Sequence, residues 1–498
     1  MNLFRISILL FLNVSLSNYC VGQLKSSNFI PHASVEVGAF ISPGSDMPFW
    51  LRTNQYGIIP GHSPAGIIQA NVYRDYQKPD SSSKTNKKFD WGYVVNPVLT
   101  YDQDNKGRLV LPEAHFKVRF KKIEFYAGRR REVMGLGDST LSSGFYAGSG
   151  NALPIPKIQI ATIGFVPIAF RKFLSVNAGF GHGWINTPPY IYAARLHQKY
   201  VYFRLGKPAS KTKFSFGLNH QAMWAGHSDF LKANPNLAVN GQLPDEWNLY
   251  QYIVLGYTPK NWYEKAGYTN FDSYRIGNHV GSYDAALETN IRGQKFMAYY
   301  QHPYEDVSSL LSKNFPDGLW GINWVPSSSN SQFRNFKLTR VTVEMLATTD
   351  QSGSEFWIPG SNYQGADNYF NHTQYTEGYS YMGSTIGTPF IAPGKDLDHS
   401  KYVSPRFFPN NRVNVFYFGA QAQYRTSLLL TMRASYSENY GTFQDTFTPY
   451  RSQFSSLVSA QVSLKKWSKT YVLAKLSVDQ GELYTKSYAG YFGIKKTW

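Results

Sequence analysis

The chain has 498 residues, a net charge of +18 and one cysteine, Cys20. Aromatic and charged residues each make up 16%, and mean hydropathy is −0.36. One cysteine excludes an internal disulfide and a multi-thiolate zinc site. Beyond the N-terminus no stretch of about 18 apolar residues offers a helical membrane span, and charged residues fall well below the roughly 25% of ordinary soluble domains.

The first residues read as an export signal. Arg5 supplies a small basic region, Ile6 to Leu16 an apolar one, and Cys20-Val21-Gly22 a cleavage site that leaves Gln23 first. The apolar run is too short to span about 30 Å of hydrocarbon as an anchor. A lipoprotein reading would need Cys20 behind a small residue, and Tyr19 is bulky.

From Ala33 onward the main signal is period-two alternation, the mark of strands with two unlike faces. Phe116, Val118 and Phe120 oppose Lys117 and Arg119. Val201, Phe203 and Leu205 oppose Tyr202 and Arg204, and Phe214, Phe216 and Leu218 oppose Ser215, Gly217 and Asn219. Near the C-terminus Val472, Ala474, Leu476 and Val478 oppose Tyr471, Lys475, Ser477 and Asp479. Taken along the chain, the expected strands are Ala33–Pro43, Ala65–Gln77, Phe89–Asp102, Gly107–Phe120, Lys122–Arg131 and Ile155–Phe165. Phe173–Trp184, Ala194–Gly206, Thr212–Gly226, His279–Asn290, Gly293–Glu305 and Gly318–Val325 follow. The last are Phe336–Asp350, Arg412–Tyr424, Leu428–Gly441, Phe454–Lys465, Tyr471–Tyr484 and Ser487–Trp498. Trp247–Tyr257 is set aside, because Pro244-Asp245-Glu246 before it reads as a helix start.

The connections have a parity. Gly44–Pro64, Glu132–Pro154, His227–Asn278, Asp306–Asp317 and Gln351–Asn411 are long and odd-numbered, whereas Lys121, Ile291–Arg292 and Arg425–Ser427 are short and even-numbered. Lys78–Lys88 and Thr485–Lys486 break the rule. An even number of strands, with long loops outside and short turns in the periplasm, is the plan of a bacterial outer-membrane barrel. The expected fold is therefore all-β: a transmembrane antiparallel β-barrel of about 18 strands. The expected domains are a signal peptide, 1–22, and one barrel, 23–498, whose long connections 227–278 and 351–411 plug the lumen from outside. The final segment alternates through Tyr488, Gly490, Phe492, Ile494 and Lys496 to Trp498. Such an end implies the barrel-assembly machinery as a partner, with outer-membrane lipid and lipopolysaccharide around the mature protein.

Several segments resemble the Wzi capsule-assembly family of outer-membrane proteins. They are Met47-Pro-Phe-Trp-Leu-Arg-Thr-Asn-Gln-Tyr-Gly57, Gly128-Arg-Arg-Arg-Glu-Val-Met-Gly-Leu-Gly137 and Ser149-Gly-Asn-Ala-Leu-Pro-Ile-Pro156. Phe271-Asp-Ser-Tyr-Arg-Ile-Gly-Asn-His279 and Tyr299-Tyr-Gln-His-Pro-Tyr-Glu305 complete the set, and the resemblance extends in order over nearly the whole mature chain. The resemblance implies an 18-stranded occluded barrel that binds capsular polysaccharide and helps hold it at the cell surface. Some members carry an N-terminal periplasmic helical segment; only Gln23 to His32 precede the first expected strand here. The resemblance carries over no ligand-binding residues.

Candidate binding residues come from the aromatic and amide side chains of the longest connection. Trp357, Tyr363, Tyr369, Asn371, Tyr375 and Tyr379 could stack on sugar rings or bind hydroxyls. Trp50 and Arg52 join them from the first resembling segment, and Arg119 and Arg204 from the inward strand faces. Inward Arg433 and Lys475 belong to the same basic set, which would attract an acidic glycan. The plainer role of these cations is salt bridging to lumenal Glu124, Glu344 and Asp479, and that of the rings is loop packing. No cofactor and no metal is expected, since no His-Glu-x-x-His and no usable Gly-x-Gly-x-x-Gly context occurs. His182, His220, His227, Ser228 and Asp229 could be imagined as a hydrolase cluster, but no Gly-x-Ser-x-Gly elbow accompanies them and no enzyme is expected. Nucleic acid is not an expected partner for an exported chain. A lectin-like role toward capsular or exopolysaccharide is thus the first reading, and an outer-membrane porin for small solutes or sugars is the alternative.

Overall fold

A computed structural model describes residues 32–498 except 78–87, 104–105, 258–266, 274, 328–334, 362, 399, 402–403 and 405. The expected signal peptide, 1–22, lies outside the described residues, as does most of Lys78–Lys88.

Alternation becomes strand throughout. In chain order the strands are β1 His32–Ile41, β2 Ala65–Arg74, β3 Phe89–Asp102, β4 Arg108–Phe120, β5 Ile123–Arg129, β6 Lys157–Thr162 and β7 Val166–Ala169. Next come β8 Leu174–Thr187, β9 Ile191–Leu205, β10 Thr212–Trp224, β11 Asn278–Ile291, β12 Gln294–Tyr304, β13 Gly318–Val325 and β14 Phe336–Ala347. A small loop hairpin, β15 Ser380–Tyr381 with β16 Ser384–Thr385, precedes β17 Val413–Tyr424, β18 Leu428–Gly441, β19 Thr446–Ser463, β20 Thr470–Gly481 and β21 Ser487–Thr497. Each barrel strand pairs antiparallel with its neighbours in sequence, and β6 and β7 both pair with β8 as two parts of one position. Pairing of Ser34 through Ile41 with Thr497 back to Gly490 closes the ring, giving an 18-strand barrel.

The two faces differ as a membrane wall requires. Phe116 and Phe120 are half exposed, and so are Phe454, Val458, Leu476, Val478, Phe492 and Ile494. The alternate residues, Ser455, Leu457, Ser477 and Asp479 among them, are buried inside. Among the described residues no helix is long and apolar enough to cross a membrane. The crossing is made by strands whose backbone groups are paired around the closed ring, which is what hydrocarbon demands. The chain is an integral outer-membrane β-barrel.

The connections 42–64, 130–156, 225–277, 305–317 and 348–412 leave the same end of the barrel. Connections at the other end are mostly short, and both ends of the described chain lie there. Trp247–Tyr257 is not a strand; its central part, Tyr250–Leu255, is a helix.

Candidate functional site

Three of the long connections meet inward-facing residues of the wall. From 42–64, the short helix α1, Phe49–Arg52, is held by both backbone and side chain. Phe49 N donates to Asp479 Oδ2 of β20 at 2.7 Å, and Trp50 Nε1 donates to Ser435 Oγ of β18 at 2.9 Å. The Trp50 ring packs on Phe390 and on Tyr417 of β17. From 130–156, Leu136 N donates to Asp284 of β11 (2.9 Å), Ser143 N to Glu344 of β14 (2.6 Å) and Tyr146 N to Gln301 of β12 (3.1 Å). Leu141 O accepts the Tyr417 hydroxyl at 2.6 Å. Gly419 makes room there: a Cβ on it would lie 2.8 Å from Leu141 Cγ and 2.6 Å from the Tyr417 oxygen.

From 348–412, Tyr379 donates to Ala147 O at 2.8 Å, and Arg129 of β5 donates to Tyr381 at 3.0 Å. The segments also bind one another. Tyr56 N donates to Gly150 O (2.6 Å), and Ser149 Oγ to Gly387 O (2.5 Å).

Where these segments meet β3, β4, β20 and β21, they leave a cavity of about 560 Å³ at the long-connection end. Arg52, Asp396 and Tyr484 stand on one side, and Asp102 and Arg108 at the ends of β3 and β4 on another. Asn151 and Leu153 also line it. Arg52 Nη1 donates to Asp396 Oδ2 at 2.7 Å and lies 5.8 Å from the Tyr484 ring centre. Burial works against the Arg52 charge, but Asp396 and its neighbours outweigh it and raise the guanidinium pKa further. Four carboxylates (Asp46, Asp102, Asp396, Asp479) face three cations (Arg52, Arg108, Lys395), so the cavity has no positive excess. Its walls offer hydrogen-bond donors, acceptors and the rings of Tyr484 and His62, the inventory suited to a hydroxyl-rich ligand.

Arg52 is the one of the ten sequence candidates that lines this cavity. Trp357 is 53% exposed at the tip of its connection, bridged to Gln364, and Tyr363 beside it is half-buried. Trp50, Tyr369, Tyr375 and Tyr379 present no ring face to solvent. Tyr369 donates to Asp317 (3.0 Å), Tyr375 to Ala225 O (3.2 Å), and Asn371 binds Phe408 O (2.8 Å).

Three of the inward cations pair with carboxylates, but not with the ones expected. Arg204 pairs with Glu288 at 2.6 Å, Arg119 with Asp90 at 3.5 Å and Lys117 with Asp75 at 2.6 Å. Glu124 takes Arg130 instead. Glu344 takes the Tyr299 hydroxyl, and Asp479 takes Phe49 N. Arg433 lies over the Trp50 ring and Lys475 over Tyr491. Of the imagined hydrolase set, His227 and Asp229 are 3.6 Å apart, while His182 and His220 belong to β8 and β10. Among the described residues no cluster of ligating side chains could hold a metal ion.

Asp396, Lys395, Arg108 and Tyr484 were not candidates in the sequence. Each is isolated there, with no spacing that links it to the others. A partial signal existed: two of the resembling segments supply Met47, Arg52 and Gly57, and Asn151 and Leu153, to the cavity wall.

No family model matches the chain, and no curated protein matches it. Among solved structures it is similar to Wzi of Escherichia coli, an outer-membrane protein involved in group 1 capsule assembly and a carbohydrate-binding β-barrel. The identity is 12%, the match covers 93% of this chain and 83% of Wzi, and the TM-score is 0.54. A BenF-like porin from Pseudomonas fluorescens aligns at 9% identity over 94% of this chain and 97% of its own, with a TM-score of 0.43. OccD3 (OpdP) of Pseudomonas aeruginosa aligns at 10% identity over 94% of this chain and 91% of its own, with a TM-score of 0.41. The similarity to Wzi, over nearly the whole chain, is one of fold: the outer-membrane β-barrel.

Proposed function

We propose that this protein is a Wzi-like, non-enzymatic outer-membrane barrel that binds surface polysaccharide at its long-connection end and helps retain it on the cell. The observation that carries the reading is the inward folding of 42–64, 130–156 and 348–412 around a polar cavity of about 560 Å³. In this reading those connections occlude the lumen, and the cavity and the exposed tip around Trp357 are the binding surface. The paired lumenal cations and the charge balance of the cavity favour a hydroxyl-rich glycan recognised by hydrogen bonds over one drawn in by net charge.

The test is binding of purified capsular and exopolysaccharides to the full-length protein and to Arg52→Ala and Arg108→Ala variants. Binding by the parent that weakens in both variants supports the reading. Open-pore conductance of the parent in planar bilayers, with no glycan binding, would replace it with the channel reading.

A further inference from the structure

The outer wall carries an anomaly. On β8 to β11 the lipid-facing rows begin at the short-connection end with Val201, Phe203 and Leu205, Phe214 and Phe216, and Leu287. Followed toward the long connections, the same outward parity reaches His182, His197, Lys199, His220 and His279. None of these polar residues is exposed. Part of connection 225–277, the helix α2 at Tyr250–Leu255, covers them. The Tyr250 oxygen is 3.0 Å from His197 Nδ1, its ring packs edge-on to Phe180 and His182, and Lys199 donates to Val254 O. Arg195 lies between the Trp224 and Trp247 rings, at 4.8 and 4.6 Å, and donates to Asp245 O. His220 and His279 share a hydrogen bond at 2.8 Å. A small apolar cluster separate from the interior core (Trp224, Leu249, Ile253 and Ile276 with Ala222 and Ala225) seals this cover.

The next strands repeat the device. Connection 305–317, with the capped helix α3, Val307–Leu310, folds over the outward row of β11 and β12. His302 meets Ser309 O at 3.2 Å, Tyr300 donates to Asp317 O at 2.7 Å, and Tyr283 donates to Leu310 O at 3.1 Å.

Both covers bury polar groups underneath and carry exposed apolar side chains above, among exposed polar ones (Asp245, Glu246, Asn248 and Gln251 on the first, Ser312 and Lys313 on the second). Trp247, Leu255 and Tyr257 are exposed on the first, and Val307, Leu311 and Phe315 on the second. This surface continues the lipid-facing wall. Trp247 packs on His182, which packs on the exposed Trp184 of β8. Phe315 lies 6.3 Å from Trp320, an outward residue of β13. Apolar patches continuous with a membrane belt, laid over polar groups that hydrocarbon would penalise, are out of place in water and in place in lipid.

We propose that α2 and α3 form a ledge on one side of the barrel, from β8 to β13, seated among the acyl chains of the leaflet at the long-connection end. The ledge shields a row of outward polar side chains and gives the lipid an apolar face in their stead.

The test uses full-length protein in phospholipid vesicles with Cys20 replaced by Ser. Spin labels are placed at Leu255→Cys and Leu311→Cys, with Leu476→Cys on the lipid wall and Trp357→Cys on the loop tip as references. The ratio of oxygen to aqueous-nickel collision rates at 255 and 311 is expected to shift to the value at 476. A ratio like that at 357 places the ledge in water and overturns the proposal. Low collision rates with both reagents assign the face to another protein chain and overturn it as well. Unlabelled protein gives a second reading: brominated acyl chains should quench it more than a Trp247→Phe variant, and equal quenching contradicts the proposal.

Discussion

Asp138 ties connection 130–156 to the wall through three partners. It accepts from Arg340 at 2.6 Å, Asn323 at 2.9 Å and Thr342 at 2.8 Å, and it is buried. Removing the carboxylate leaves the Arg340 cation and the Thr342 hydroxyl without this acceptor. Asp138→Ala is expected to destabilise the barrel by about 3 kcal/mol, read as earlier loss of the compact form on heating in detergent. Glu305 and Asp367 set a pH response in the connections. Burial pushes the Glu305 carboxyl up to about 8, against hydrogen bonds from Tyr146 and Phe370 N. Burial and the nearby Asp306 charge push Asp367 up to about 9. In the unfolded chain both would lose their protons near about pH 4. Across the window from there to about 9 the folded form holds protons the unfolded form has released, so the contact weakens as pH rises. The hydrogen-exchange protection of 366–379, corrected for the intrinsic exchange rate at each pH, is expected to be greater at about pH 5 than at about pH 9, and Glu305→Gln with Asp367→Asn should flatten the difference. At this scale the candidate site was only partly legible. Arg52 and Trp50 are neighbours in one motif, yet one lines the cavity and the other disappears into the core, a division set by partners hundreds of residues away.

Strands were the legible level, because each has lipid on one side and packed polar side chains on the other, and that contrast is written into every second residue. The pattern failed where the contrast vanishes. β19 begins at Thr446, eight positions before the expected Phe454, because Thr446–Tyr450 has little burial on either face. The expected Ile155–Phe165 holds only β6, and β7 follows beyond its end, with Gly164 at φ +65 in the gap. The connections carry no such period, so their inward and outward folding could not be read. The exposed aromatic pair Phe356 and Trp357 of 348–412 gives an element-level prediction. Deleting 354–365, which holds Phe356, Trp357 and Tyr363, should leave a heat-modifiable barrel in the outer membrane. It should reduce retained surface polysaccharide, measured per cell by glycan-specific staining. By contrast, Trp50→Ala removes a ring packed on Phe49, Phe390 and Tyr417. It is expected to cost about 3–5 kcal/mol and to raise bilayer conductance if 42–64 closes the lumen.

At the scale of the whole molecule, stability depends on the seam between β1 and β21. Phe492 sits between Ala39 of β1 and Ala474 of β20 and is exposed outward, and Trp498 N donates to Ala33 O at 2.9 Å. Replacing Phe492 and Trp498 together by Ala should lower the yield of assembled barrel in the outer membrane, measured as the heat-modifiable fraction in isolated membranes. The seam also governs how the protein tolerates shortened messages. The edge that β1 presents is satisfied only by the final strand, so a premature stop at any codon before Ser487 leaves two raw hydrogen-bonding edges. Such chains cannot settle for a smaller barrel, because the inward segments bind residues on strands from β5 to β20. Nonsense alleles close to the end of the reading frame should therefore behave as complete nulls.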